Sequence, residues 1–217
     1  MGFFDRSRLI LSDEELEKIN NSSVLVFGLG GVGCAACESL VRAGIGKIGI
    51  CDKDIYEESN LNRQLYATKE SLGKNKVDVT YDRIKSIRDI EIVKYPFDFN
   101  KENEDKINFS DYSYIIDAID TIASKILIIE KARKENIKVI SAMGTGNKYD
   151  PTKFKVSYIE KTKIDPIARI MRRELKDRNI KKVPVVYSEE IPQKTQNRTP
   201  GSISFVPPVC GFILTSY

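Results

Sequence analysis

Short apolar runs alternate with amphipathic segments from the N-terminus to residue 142. The runs predict strands at 22–28, 47–51, 90–95, 112–119 and 138–142. A capping box at Ser12 and Glu15 and apolar residues three and four positions apart predict helices at 12–20, 32–42, 74–87 and 122–135. Strands that alternate with helices of this length are typical of an α/β fold with a doubly wound, mostly parallel, Rossmann-like sheet.

The pattern changes after Gly146. Strands are predicted at 154–158 and 183–187, a helix at 166–177, and a polar loop at 192–201. The last apolar run, 211–217, has no polar ending, from which we expect a further C-terminal helix that this chain lacks. We therefore expect residues 151–217 to form a C-terminal α/β extension that packs on the same sheet as residues 1–150.

A glycine-rich loop joins the first predicted strand to the helix after it. Gly28, Gly30 and Gly33 follow the G-x-G-x-x-G spacing, which allows a tight turn, close approach of backbone N–H groups to phosphate, and close packing of helix on strand. Asp52 ends the second strand, 24 residues after Gly28, where such folds place the acid that binds ribose hydroxyls. Residues 1–150 are therefore predicted to be a nucleotide-binding domain.

Cationic and carboxamide side chains cluster after the second strand. The cluster has more such groups than nicotinamide chemistry requires: Asn60, Asn62, Arg63, Gln64, Lys74 and Lys76. It favours cleavage of a triphosphate, where fixed cations stabilise the developing charge. An aspartate would then hold Mg²⁺. Attack of a carboxylate on the α-phosphate of ATP would give an acyl-adenylate.

The net charge of +4 is unevenly distributed. Residues 161–217 hold 11 Lys and Arg against 5 Asp and Glu, which suits a polyanionic partner, although a solvated surface gives the same count. The helix at 166–177 carries a basic ridge, opposite an apolar face that we expect to be buried. The ridge consists of Arg169, Arg172, Arg173 and Lys176.

Two residue types limit the possible chemistry. The chain has no histidine, which excludes Ser-His triads and histidine metal ligands. Its four cysteines supply one C-x-x-C pair, Cys34 and Cys37, which we interpret as packing residues of a helix rather than zinc ligands. The sequence has no apolar run of membrane-spanning length and no signal-peptide layout, so a cytoplasmic location is expected.

The motifs G-L-G-G-V-G, S-N-L-N-R-Q and I-D-A-I-D-T resemble those of the ThiF/MoeB/HesA superfamily of ubiquitin-activating-type adenylating enzymes. The later motifs A-M-G-T-G-N-K-Y-D-P-T, V-V-Y-S-E-E and G-S-I-S-F-V-P-P-V-C-G are similar to those of its tRNA threonylcarbamoyladenosine dehydratase branch. The resemblance implies ATP-dependent cyclisation of threonylcarbamoyladenosine in tRNA through an adenylated carboxylate, with ATP and Mg²⁺, in a homodimer.

The resemblance also implies roles for individual residues. Arg63 and Lys76 would contact phosphates, Asp120 would be the Mg²⁺ or pyrophosphate-side residue, and an N-terminal arginine, Arg6 or its neighbour Arg8, would reach into the partner subunit's site. Independently of the resemblance, the spacing of its cations leads us to expect that the basic ridge binds the tRNA. The nucleotide itself would be bound by Gly28, Gly30, Gly31, Gly33, Asp52, Asp54, Asn60 and Gln64.

Two other functions remain open at this point. One is an adenylating activator of a ubiquitin-like or sulfur-carrier protein, which would involve a sulfur-relay partner. The other is a nucleotide-binding regulatory module without turnover. Arg63 and Lys76 could also be surface ion-pair residues, and the loop at 188–202 is shorter than the resemblance leads us to expect.

Overall fold

The structure, a computed structural model, describes residues 2–196 and 199–217. Its strands are β1 Ser23–Phe27, β2 Lys47–Cys51, β3 Glu91–Tyr95, β4 Tyr114–Asp117, β5 Lys138–Ala142, β6 Phe154–Tyr158 and β7 Pro184–Ser188. Its α-helices are α1 Asp13–Asn20, α2 Gly31–Ala43, α3 Lys76–Ile87, α4 Ile122–Lys134, α5 Pro166–Asp177 and α6 Val206–Ser216. No helix in the described residues is long and apolar enough to cross a membrane.

The strands form one sheet in the order β3-β2-β1-β4-β5-β7-β6. Every neighbouring pair is parallel except β6 with β7. The chain runs outward from β1 to β3 and then returns to place β4 on the other side of β1. The order therefore reverses between β1 and β4, and in such sheets a crevice opens there at the carboxyl ends of the strands. The predicted doubly wound, mostly parallel sheet is confirmed.

Successive residues of the central strand β1 pack on opposite faces of the sheet. Val24 and Val26 belong to the core beneath α2, α3 and α6, whereas Leu25 and Phe27 belong to the core on the α4 side. A strand covered on both faces must be apolar at every position, which explains why this segment shows no alternation of polar and apolar residues.

Local signals in the sequence account for the ends of two helices. Ser12 and Glu15 form the predicted capping box at the start of α1, with bonds of 3.2 and 2.8 Å. Helix α2 ends at Gly44, whose φ of 109° is a left-handed conformation that glycine adopts without strain.

Several predicted boundaries differ from those of the structure. Strand β4 is shorter than the predicted 112–119 because the chain turns after Asp117, whose Oδ1 accepts a bond from the Ile119 backbone at 3.2 Å. Helix α3 begins at Lys76 rather than at residue 74 because the Lys74 carbonyl accepts a bond from the Tyr56 backbone at 2.9 Å.

Residues after 150 complete the same sheet. Strands β6 and β7 extend it beyond β5, and α6 packs on α2 at close range, since a Cβ on Gly211 would lie 2.2 Å from the Val32 carbonyl oxygen. The last apolar run, from which we expected a further helix that this chain lacks, is itself part of α6. The predicted polar loop at 192–201 has no regular structure in its described residues, and positions 197 and 198 lie outside them.

Candidate functional site: a nucleotide crevice at the sheet reversal

A crevice of about 620 Å³ opens at the carboxyl ends of β1, β2 and β4. The glycine loop forms its floor, and the ends of β2 and β4 form two of its walls. Ten of the side chains and glycines predicted for the site line it: Gly28, Gly30, Gly31, Asp52, Asp54, Asn60, Arg63, Gln64, Lys76 and Asp120.

The glycines of the loop have different physical roles. Gly28 has a φ of 83°, and a Cβ there would lie 2.6 Å from the Ala118 carbonyl oxygen. A Cβ on Gly33 would lie 1.7 Å from the Gly28 carbonyl oxygen, so helix and strand could not approach with any larger residue. A Cβ on Gly31 would meet Pro207 at 2.9 Å. Gly33 does not line the crevice, and the structure gives it a packing role rather than the predicted contact with nucleotide.

Gly30 differs from the other loop glycines because a Cβ at this position would not clash with the protein. The nearest atom to a Cβ placed there is Gln64 Nε2 at 3.9 Å, and its φ of −76° suits any residue. The protein itself therefore does not require glycine at this position. The space above Gly30 is open to the crevice, where a bound phosphate could approach the backbone closely.

The N-terminus of α2 points its backbone donors at the crevice. Its N-cap, Gly30, makes no side-chain cap, and the first bond to the Gly30 carbonyl comes from the Cys34 backbone at 3.0 Å. The preceding N–H groups of the first turn have no backbone acceptor in the described part of the chain. Unpaired donors and the positive end of the helix dipole together favour an anion there.

Asp52 is held against the glycine loop. Its Oδ2 accepts a bond from the Leu29 backbone at 2.6 Å, and its Oδ1 accepts one from the Asp54 backbone at 2.8 Å. Burial raises the pKa of the Asp52 carboxyl, although the charge of Lys76 and these two bonds oppose the rise. The carboxylate is therefore fixed beside the loop, at the position expected for a ribose acceptor.

Two cations also line the crevice. Lys76 begins α3, is only 6% exposed, and its Nζ lies 3.1 Å from Asp54 Oδ2. Arg63 is fixed through one nitrogen, Nη1, which donates to the Ser59 carbonyl at 2.7 Å and to the Asn62 side chain at 2.8 Å. Its other guanidinium nitrogens make no bond within residues 2–196 and 199–217, so they can donate to a ligand. Neither residue is a solvated surface ion pair, which was the alternative interpretation.

The two predicted carboxamides are placed differently from each other. Asn60 is buried, and its Oδ1 caps a short 3₁₀ turn by accepting from the Glu57 backbone at 3.1 Å. Gln64 is also buried, but its Oε1 has no hydrogen-bond partner among the described residues. A buried acceptor without a donor is costly, so this oxygen beside Gly30 suits a donor supplied by a ligand.

Asp120 lies on the loop after β4, above a buried ion pair. Asp117 is fully buried, and its Oδ2 accepts from Lys125 Nζ at 3.0 Å and from the Ser141 hydroxyl. Lys125 also donates to the Ala142 carbonyl at 2.7 Å. Asp117 is thus a structural acid, and the network ties the Asp120 loop to the end of β5.

Asp120 is the acidic residue that could hold a metal. It is exposed, and its Oδ1 accepts a bond from its neighbour Thr121 at 3.3 Å, which leaves oxygen acceptors facing the crevice. The described residues contain no cluster of three or more His, Cys, Asp and Glu side chains suited to a metal ion. One carboxylate with substrate phosphates is, however, a donor set that Mg²⁺ commonly uses.

The remaining predicted site residues lie outside the crevice. Arg6 is exposed near the N-terminus and does not line the crevice of its own chain. Of the basic ridge, Arg169, Arg173 and Lys176 are exposed on α5. Arg172 is not a free cation, because its Nη1 donates to the carbonyl and the hydroxyl of Thr162 at 2.8 and 2.6 Å.

The apolar face of α5 also differs in part from the prediction. Met171 is buried as expected, but Ile167 and Ile170 are only half-buried.

Other residues line the crevice without having been predicted. A group of them comes from the loop after β5, the segment before α6 and the first turn of α6: Thr145, Gly146, Thr199, Pro200, Gly201, Ser202 and Pro207. A Cβ on Gly146 would meet Pro200 at 2.7 Å, which shows how closely the two segments pack. Sequence patterns did not predict this wall because its two segments are about 50 residues apart in the chain. The pair of glycines after β5, Gly144 and Gly146, is the one local feature that could have indicated it.

The four cysteines are free and buried. Burial raises the pKa of Cys34 and of Cys210 to about 12, and it also raises the pKa of Cys37 and Cys51. Cys34 and Cys37 are therefore packing residues of α2, as predicted.

Taken together, a glycine loop, a helix N-terminus, a fixed aspartate and two cations around one crevice define a nucleotide-binding protein whose site is suited to a polyphosphate. Comparison with known families makes the class more specific. The ThiF family matches residues 4–213, and this chain belongs to it.

The most similar proteins include one curated relative and two solved structures. The relative, a tRNA threonylcarbamoyladenosine dehydratase from Bacillus subtilis, is 38% identical over 97% of this chain and 91% of its own length. The E. coli tRNA N6-threonylcarbamoyladenosine dehydratase, TcdA, in complex with AMP superposes with a TM-score of 0.90 at 31% identity, over 97% of this chain and 89% of that one. Its complex with ATP gives 0.89 at 30% identity, over 99% and 90%.

Gly30→Ala should separate ligand binding from folding. We expect its unfolding free energy to stay within about 0.5 kcal/mol of the wild type, because the new methyl group would meet only Gln64 Nε2, at an unstrained 3.9 Å. Its affinity for ATP should fall about tenfold or more, since the methyl occupies the space above the loop. Denaturant unfolding and calorimetric titration with ATP measure the two quantities.

Gly33→Ala is the matched control. Its methyl would meet the Gly28 carbonyl, and neither backbone can move aside, so we expect a loss of about 3 kcal/mol or more. Equal stability of the two variants, or unchanged ATP binding by Gly30→Ala, would contradict the roles assigned to these glycines.

Proposed function

We propose that this protein catalyses the ATP-dependent cyclisation of threonylcarbamoyladenosine in tRNA. The observation that carries the proposal is the match over nearly the whole length of a tRNA threonylcarbamoyladenosine dehydratase, combined with a crevice built for a polyphosphate. The match extends beyond residue 150, where activators of other substrates are expected to differ.

The chemistry proceeds in two steps. A carboxylate oxygen of the threonyl group attacks the α-phosphate of ATP, which forms the acyl-adenylate and releases pyrophosphate. A nucleophile within the same modification then attacks the activated carbonyl, loses its proton, closes the ring and displaces AMP. The net change in the nucleoside is the loss of one water.

The chain contributes positions and charges rather than a base. Asp52 accepts from the ribose, the first-turn N–H groups of α2 lie close to the phosphates, and Lys76 and Arg63 stabilise the charge that develops as pyrophosphate leaves. This explains how a protein without histidine can carry out the reaction. Asp120 would hold Mg²⁺, which when bound neutralises part of the phosphate charge.

The cysteines weigh against the alternative, an activator of a sulfur-carrier or ubiquitin-like protein that passes its substrate to a thiol. A thiolate nucleophile needs access and a lowered pKa. Here all four thiols are buried, and their pKa values are raised.

Nucleoside mass spectrometry of tRNA tests the proposal directly. tRNA bearing threonylcarbamoyladenosine, incubated with the protein, ATP and Mg²⁺, should yield a nucleoside lighter by one water. Arg63→Ala and Lys76→Ala should each lower the rate by about 10²-fold or more, because each removes a fixed cation from the phosphates. Lys101→Ala, an exposed lysine outside the crevice, is the control and should keep the wild-type rate. No mass change with wild-type protein would reject the function.

We further propose that the exposed cations of α5 bind the tRNA backbone. Arg169, Arg173 and Lys176 lie on the solvent side of a helix whose Met171 and Leu175 are buried. Cations of this kind contact phosphates, which positions a nucleic acid without reading its sequence. Arg172 is left out because it anchors the helix to Thr162.

The double variant Arg169→Ala, Arg173→Ala should therefore bind tRNA more weakly. We expect the slope of log affinity against log salt concentration to flatten by roughly one to two units. Binding releases a counterion at each phosphate contact, so a variant with fewer contacts releases fewer counterions. ATP affinity should stay unchanged. Lys18→Ala, Lys101→Ala is a control with the same loss of charge, and equal salt slopes for the two variants would remove α5 from the tRNA site.

We also propose a homodimer in which Arg6 completes the partner subunit's site. Arg6 is exposed and lies outside its own crevice, and the same N-terminal segment exposes apolar side chains that a second copy would cover. These are Phe3, Leu9 and Ile10, with exposures of 53%, 80% and 84%. Exposed apolar groups clustered in this way are typical of an interface.

Mixing two inactive variants tests the contribution of Arg6. Arg6→Ala and Lys76→Ala, combined in equal amounts with subunit exchange, should recover about a quarter of the wild-type activity, since half of the dimers then hold one intact site. Arg8→Ala serves as the neighbouring control. An absence of recovery, with heterodimers shown to form, would place Arg6 in its own subunit's site or outside the reaction.

A further inference from the structure

A second buried ion pair lies behind the unpredicted wall of the crevice. The Nζ of Lys148 is 2.6 Å from Asp165 Oδ2, and the two side chains are 1% and 0% exposed. Lys148 also donates to the carbonyl of Gly144. The mechanism proposed above uses neither charge.

Asp165 joins two parts of the chain that are distant in sequence. Its Oδ1 accepts from the Ala168 backbone at 2.9 Å, which caps the first turn of α5. The same oxygen accepts from the Gly144 backbone at 3.3 Å. One carboxylate therefore fixes both the start of α5 and the chain that leaves β5.

Each of these two segments adjoins the proposed binding surface of a different substrate. On one side, Thr145 and Gly146 follow Gly144 directly and line the nucleotide crevice. On the other side, Arg169 and Arg173 follow the Asp165 cap within the first turns of α5 and face solvent. The ion pair is a buried, hydrogen-bonded contact that connects these two surfaces.

We propose that Lys148 and Asp165 are positioning residues that set the basic face of α5 at a fixed distance from the crevice. This proposal rests on the proposed function, because it assumes that tRNA binds on α5 while its modified nucleoside enters the crevice. The nucleoside can reach the nucleotide only if the two surfaces are held in one geometry.

Stability alone does not explain a pair of this kind. Removing two charges from water is expensive, and apolar residues of similar volume often stabilise a fold as well or better. An apolar pair would lack the Asp165 acceptor for the Ala168 and Gly144 backbones, and it would also lack the lysine donor to the Gly144 carbonyl. The acceptor can be kept by an amide, so the donor can be removed separately. The proposal therefore concerns this directional bond, and variants that differ in it can test the idea.

Two neutral double variants share the change at Asp165 and differ at position 148, where only one of them carries an N–H donor. Lys148→Met, Asp165→Asn keeps a side-chain oxygen to cap Ala168 but loses the donor to Gly144. Lys148→Gln, Asp165→Asn keeps the cap and supplies an amide donor. Neither leaves a buried charge unpaired, so both are expected to fold with Tm values close to each other.

Steady-state kinetics should separate the two variants. We expect the Met variant to raise the KM for tRNA about tenfold, with kcat and the KM for ATP within twofold of the wild type, and the Gln variant to keep a KM for tRNA close to the wild type. Equal KM values for tRNA in the two variants, or a parallel rise in the KM for ATP, would overturn the proposal. A wild-type protein that leaves the tRNA nucleoside unchanged would instead reject the proposed function.

Hydrogen exchange of the wild type gives a measurement that needs no variant. If the pair joins the two segments, the backbone amides of Gly144 and Ala168 should exchange with similar protection, because both are released when Asp165 moves. Independent exchange, with one amide protected and the other open, would show that the pair does not couple them.

Discussion

The whole site depends on the contact between helix α2 and the end of β1. A hydrogen atom is all that Gly33 can present to the Gly28 carbonyl, since a Cβ would lie 1.7 Å from that oxygen. Only at this distance does the helix start where the strand stops, with its unpaired N–H groups above the crevice. Asp52, Arg63 and Lys76 then need only to surround an anion site that the backbone has already made.

A second constraint lies at the end of β5, where two buried lysines hold nearby carbonyls. Lys125 donates to Ala142 and is paired with Asp117, whereas Lys148 donates to Gly144 and is paired with Asp165. The first pair supports the loop that carries Asp120, and the second supports the crevice wall and the start of α5. Buried charges are costly, but bonds of this kind are directional, so they fix geometry more closely than apolar packing does.

The sequence predicted those features that depend on residues close together in the chain. The glycine loop and Asp52 follow from short-range spacing, and the structure places both at the crevice. Arg172 was grouped with the other cations because helical spacing shows which face a residue occupies but not that Thr162 lies within its reach.

Tertiary contacts account for most of the other differences. The pair Lys148–Asp165 and the wall formed by Thr145 and Pro200 bring together residues far apart in the chain, and no periodicity reports such contacts. The separate roles of Gly30 and Gly33 likewise became visible only when the atoms around each glycine were known. The central claim, that the crevice activates a carboxylate by adenylation, is tested most directly by isotope transfer. With ¹⁸O in the threonyl carboxylate of the tRNA, the released AMP should carry one ¹⁸O atom and the pyrophosphate none. Release of ADP and phosphate, or AMP without the label, would contradict it.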